Sequence, residues 1–254
     1  MEHIFNTYDF LAILGSLAWL PPIFLLVRNF IIKPKISIIT DNVLEIGFTT
    51  LGPIINTRLA FIADNKKALI DRIILELTHE NKNIQEFTWD WFEELLYQTD
   101  LPNAAILPTR KNQKAIAINL KKEELIEKKI GFQQNTFKNA QKIFTQNIVE
   151  DSINLTKADK PISDITSMKS YNDLLNHFHH SFNWKPGRYE ICLKVYAKSI
   201  SNPIEKNISF KLTELQVNNL ESNVTACQKA MEKVFVNPEL EVEAWRWIDV
   251  NTEI

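Results

Sequence analysis

The heptapeptide NHFHHSF (176–182) holds His177, His179 and His180, three of the chain's five histidines. On a helix His177 and His180 would share a face, and on a strand His177 and His179 would. Either pair could offer imidazole nitrogens to a metal ion, which also needs a third donor. Asp173 and His79 are the candidates for that donor, and no HExxH pattern accompanies them. The plainer expectation is a solvated helix end, with no metal or other cofactor.

A second cluster lies in TWDWFEELLY (88–97), where Asp90, Glu93 and Glu94 stand among Trp89, Trp91 and Tyr97. Two carboxyls beside aromatic rings are the equipment of glycoside hydrolysis, provided an apolar pocket keeps one of them protonated. The same residues suit peptide or carbohydrate binding. The plainer expectation is a strand that buries its tryptophans, followed by exposed acids. A third feature is charge: residues 110–142 carry nine lysines and arginines against Glu123, Glu124 and Glu127, while the last 42 residues carry three basic and eight acidic ones. The basic stretch could face anionic lipid headgroups, but it has little aromatic interleaving and no nucleic-acid motif, so nucleic acid is not expected as a partner.

Glycine usage excludes some chemistry. Gly15, Gly47, Gly52, Gly131 and Gly187 never fall into GxG, GxxxxGK or GxSxG. Phosphate-cradling loops and the sharp turn that exposes a nucleophilic serine need glycine on steric grounds. The two cysteines, Cys192 and Cys227, form no CxxC, so neither a zinc site nor a disulfide framework is indicated. No catalytic motif emerges, and the chain is expected not to be an enzyme.

The elements that must position these residues follow from hydrophobic patterning. Residues 10–27, FLAILGSLAWLPPIFLLV, form an uncharged run that would span roughly 27 Å as a helix. The run is followed by Arg28, Lys33 and Lys35 and preceded by Glu2 and Asp9, a charge order opposite to that of a cleaved secretion signal. The expectation is one transmembrane helix over 10–32, a short outer N-terminus over 1–9, and residues 33–254 on the cytoplasmic side of the cell membrane. Trp19, Pro21 and Pro22 would mark the anchor and its kink, and Arg28, Lys33 and Lys35 its basic flank.

Beyond Lys35, short runs of β-branched and aromatic residues separated by turn signals predict strands. Among them are ISII and VLEIGF (broken by TDN), INTRLAFIA, LIDRIILELT, EFTWDWF and KAIAINL. In RYEICLKVYA, Tyr189, Ile191, Leu193 and Val195 alternate with Arg188, Glu190, Cys192 and Lys194, which predicts one buried face, and ISFKL should pair with it. Helices are predicted for KKEELIEKKI, NTFKNAQKIFTQNIV, SYNDLLNHFHHSF and LQVNNLESNVTACQKAMEKVF, and LEVEAWRWIDV returns to strand alternation.

Trp184, Pro186, Gly187, Tyr189, Ile191, Leu193 and Val195 together resemble a late strand of immunoglobulin-like sandwiches. That resemblance implies an antiparallel β-sandwich, mainly β, carrying a helical insertion over about 121–183. The function expected is a membrane-anchored binding module, an adaptor or sensor with a protein partner or a homo-oligomeric state, at the lipid bilayer. An oligomerising membrane effector of a stress or phage-defence system and an anchored hydrolase are the alternatives.

Overall fold

The computed structural model describes residues 19–80, 84–97, 108–198 and 200–253. Ten strands form one sheet: β1 (Ile36–Thr49), β2 (Gly52–Ala63), β3 (Ala68–His79), β4 (Gln85–Tyr97), β5 (Pro108–Lys114), β6 (Ile118–Leu120), β7 (Leu125–Gln133), β8 (Gly187–Lys198), β9 (Ile204–Leu212) and β10 (Ile248–Asn251). Their spatial order is β10-β1-β2-β7-β4-β3-β8-β9, with β5 on β4 and β6 on β3, and every pairing between them is antiparallel. The two ends of this order meet. Ser209 of β9 donates its N–H to the carbonyl of Glu253 (2.9 Å), and Glu253 donates back to Ser209 (2.7 Å). The sheet is therefore a nearly closed barrel.

This corrects the expected immunoglobulin-like sandwich. Strand pairing runs without a break around the molecule, so the inward side chains of every wall share one interior: Leu44, Ile55, Ile73, Phe87, Ile130, Phe132, Leu193 and Phe210 belong to a single buried cluster. The strands are also longer than their patterns suggest, because bulges bend them without ending them. TDN, taken as a break, is such a bend inside β1, where the register with β2 shifts between Thr40 and Leu44. A second shift, between Trp89 and Trp91, changes which face the chain presents, so Trp89 and Phe92 are buried while Trp91 turns outward. KKEELIEKKI is not a helix: it lies largely in β7, and its charges are cross-strand partners of neighbouring walls (Arg58–Glu127 3.5 Å, Lys128–Glu94 3.1 Å, Lys129–Glu45 3.0 Å). In LEVEAWRWIDV only Ile248–Asn251 is strand.

The sandwich-like motif does its local work in this different architecture. Tyr189 donates its hydroxyl to the Lys185 carbonyl (3.0 Å) and accepts from the Lys185 N–H (2.7 Å), tying down the turn that launches β8. Outside the barrel wall, Trp91 lies against Gly131, its cross-strand partner, and Trp247 lies against Gly47; a Cβ at either glycine would meet indole atoms. Gly52 has φ +83 in the β1–β2 turn and carries the ring of Phe137.

Four helices complete the described chain: α1 (Leu20–Ile31), α2 (Asn135–Lys157), α3 (Lys169–Ser181) and α4 (Glu214–Phe235), with a 3₁₀ turn at Ile162–Ser167. Helices α2, α3 and α4 pack over a second apolar cluster, in which Phe137, Ile148, Leu174, Phe178, Val224 and Cys227 surround Phe48 of the barrel. Helix α4 begins at a capping box, Thr213 with Gln216, as the run after Leu212 allows.

The expected transmembrane span is overturned. Helix α1 has 12 residues, and among the described residues no helix is long and apolar enough to cross a membrane. Residues 10–18 of the expected span lie outside the described residues. Among the described residues Pro21 and Pro22 occupy the first turn of α1, where the missing N–H groups have no intrahelical acceptor to lose. The single-pass localisation with a cytoplasmic domain has no span to rest on. Trp19, Pro21, Pro22, Arg28, Lys33 and Lys35 are all exposed on or just after this short helix.

Candidate functional site

The three clustered histidines do not converge. The ring of His177 stacks on Phe137 (4.5 Å between centroids) and leans on Phe144 (5.0 Å), with Nδ1 3.3 Å from the Ser181 hydroxyl. Desolvation between these rings holds its imidazole below the usual histidine range. His179 meets the Gln228 amide through Nε2 (2.7 Å), and His180 meets the Asn176 carbonyl through Nδ1 (2.7 Å). His79 lies elsewhere, 3.1 Å from the Pro186 carbonyl and tilted over Tyr189. Among the described residues no group of three His, Cys, Asp or Glu side chains is placed to hold a metal.

The acidic aromatic patch is likewise dispersed. Trp89 is in the core, Asp90 pairs with Lys138 of α2 (2.6 Å), and Glu94 pairs with Lys128 (3.1 Å). The side chain of Tyr97 lies outside the described residues. The basic stretch is largely spent in the same way, since Lys121, Lys122, Lys128, Lys129 and Lys138 each face a carboxylate.

Concavity appears elsewhere, on the outer wall beside the barrel's closure. A groove of about 500 Å³ crosses β3, β8 and β9, with Glu76, Thr78, Arg188, Glu190, Cys192, Asn207, Ser209 and Glu253 around it. The outward half of the β8 alternation supplies Arg188, Glu190 and Cys192, because inward residues of the same strand fill the interior. Arg188 reaches the Ser209 hydroxyl (2.9 Å) and the Glu253 carboxylate (3.3 Å), while Lys194 holds Glu76 at 2.6 Å. The Glu76 hydrogen bond raises the Lys194 ammonium above its ordinary range. Burial, with Glu205 close by, pushes the Cys192 thiol up, so it rests as a thiol and not as a nucleophilic thiolate.

A second groove of about 570 Å³ lies alongside, lined by His79, Gln85, Glu86, Gln134, Thr136, Asn183 and Lys185. The two share one residue, Ile84, which is 65% exposed. An isolated isoleucine in the polar run NKNIQE is the only sign of this in the sequence. The joining of the grooves is a tertiary fact, set by where β3, β4 and β8 lie side by side.

No family model matches the chain, and no curated protein matches it. Among solved structures it is similar to a family 123 glycoside hydrolase from Clostridium perfringens, at 10% identity and a TM-score of 0.34. That alignment covers 72% of this chain and 27% of the hydrolase, so the chain spans about a quarter of that protein's length, and a likeness this slight says nothing about activity.

Proposed function

We propose that this protein is a binding module that receives a polypeptide partner on the outer wall beside the barrel's closure. One observation carries the reading: two grooves of protein-binding dimensions meet at Ile84, an exposed apolar side chain ringed by Glu86, Lys185, Arg188 and Glu190. An apolar anchor inside a polar rim is the usual anatomy of a protein-binding surface. Of these rim charges Arg188 is held by Glu253 in an exposed pair, and such exposed charges can steer a partner into register.

The test is site-specific photo-crosslinking from the native cell. A benzophenone side chain at Ile84 or Lys185 is expected to capture a discrete partner, and the same probe at Ile153 on α2, exposed but distant in the fold, is not. Ile84→Asp should lower the affinity of the captured partner at least tenfold with an unchanged melting temperature. Equal capture from all three positions would sink the proposal.

A second reading, self-association, is favoured by α1, where Ile23, Leu26, Val27 and Ile31 line an exposed apolar stripe. Light scattering should then give a multiple of the 29.5 kDa chain mass that falls to monomer in Leu26→Glu.

A further inference from the structure

The outer wall beneath the first groove carries more acid than base. Glu76 of β3 stands directly opposite Glu86 of β4, and like charges so placed, about 5 Å apart at Cβ, destabilise a sheet. On the other flank of β3, Glu76 faces Cys192 and Thr78 faces Glu190, so Glu190 is the diagonal neighbour of Glu76. The residues on either side of each of these glutamates in β3 and β8 are buried, which turns the carboxylates outward. Three carboxylates therefore lie on three adjacent strands, β4, β3 and β8. A fourth, Glu205, follows on β9 opposite Lys194.

The bases of this wall are already committed. Lys194 holds Glu76 at 2.6 Å and Arg188 holds Glu253 at 3.3 Å, while Lys211, opposite Arg188, lies outside the groove lining. Glu86, Glu190 and Glu205 have no ion pair among the described residues. The Cys192 thiol in the groove is raised first by its burial and next by the charge of Glu205, with Lys194 opposing, so it registers the same negative field. The second groove has no such excess, because Lys185 lines it together with Glu86.

We infer that the partner segment is basic: it sets a lysine or arginine side chain into the first groove, against Glu190 and Glu76, beside an apolar side chain that packs on Ile84. The inference rests on the binding-module reading and names the partner's chemistry at that site. Charge complementarity selects this occupant. A cation entering between Glu190 and Glu76 gives Glu190 the partner it lacks and offsets the repulsion between Glu76 and Glu86. An acidic segment would meet the same carboxylates with a like charge. Because the excess lies in the first groove and not the second, it also fixes on which side of the apolar anchor the basic residue sits.

The experiment pans a phage-displayed library of random peptides on the full chain and measures the enriched peptides by fluorescence anisotropy. They are expected to share a lysine or arginine beside an apolar residue, and to bind Ile84→Asp at least tenfold more weakly. Glu190→Gln should weaken them about threefold, the scale of an exposed ion pair, and Glu190→Lys at least tenfold. Both variants should keep the parent melting curve, since Glu190 is exposed and has no ion pair to lose. Binding should also weaken as salt is raised. Enrichment of acidic or uncharged peptides that depend on Ile84 would overturn the inference and leave the module standing, as would basic peptides indifferent to Glu190→Lys. Polylysine that binds as tightly as the enriched peptides, unaffected by Ile84→Asp, would reduce the wall to a non-specific acidic surface and overturn it too. If no peptide is enriched over the bare support the inference falls, and if photo-crosslinking from Ile84 also captures nothing the module falls with it.

Discussion

His177 sits in a stack of phenylalanine rings, and its lowered pKa makes its protonation a folding event. In the unfolded chain it takes a proton near its ordinary value of about 6.5. In the fold it resists, so its contribution to stability is full above that value and is lost as pH falls toward the folded pKa. Denaturant midpoints should therefore drop as pH is lowered from 7 to 5, and His177→Leu should flatten that part of the profile; an identical slope in the variant would refute the assignment. Burial pushes the Cys227 thiol up to about 12, whereas Cys192 is only half-buried on the groove wall. A thiol reagent should label Cys192 first and reach Cys227 at the rate of global unfolding, measured by mass spectrometry. That NHFHHSF holds three histidines was plain in the sequence. That one stacks on phenylalanines while the others cap exposed carbonyl and amide groups depends on how α3 is rotated against α2, which no local spacing reveals.

At the scale of elements, the outward tryptophans test how the wall is built. Trp91 occupies the space a side chain at position 131 would need, so Gly131→Ala should destabilise the protein by about 1–3 kcal/mol, the range for inserting atoms into a filled site. Trp91→Ala combined with Gly131→Ala should recover much of that loss in urea unfolding, and simple additivity would contradict the packing. Strands with one buried face, above all β8 and β9, were legible because their alternation is local and uninterrupted. Strand β7 was not, since lysines and glutamates that match helical spacing equally match partners on the flanking strands β2 and β4 and on β1 beyond. Trp91 was misplaced for a related reason: a bulge between Trp89 and Trp91 reverses the alternation, and its position is chosen by register with β7. Runs of short strands also read the same for a sandwich and a barrel. Only the pairing across distant segments, β1 with β10 and β3 with β8, separates the two.

For the whole molecule, closure depends on very few contacts. The β9–β10 junction is held by the two Ser209–Glu253 hydrogen bonds, each contributing about 0.5–1.5 kcal/mol, and by an exposed Arg188–Glu253 pair that adds little. Deleting residues 252–254 should therefore lower the melting temperature by about 2–4 °C for each kcal/mol lost, measured by scanning calorimetry. Hydrogen exchange should accelerate at Ser209 and along β10 while the amides between β3 and β8 keep their protection; uniform acceleration would mean that the closure supports the entire barrel. The pairing of Val43 with Asn251 has a consequence during synthesis as well. Strand β1 is made about 200 residues before the strand that completes its outer edge. In that interval the nascent chain carries a long β edge with Leu44 and Ile46 behind it, and so depends on prompt completion or on a chaperone to keep that edge from pairing with a stranger.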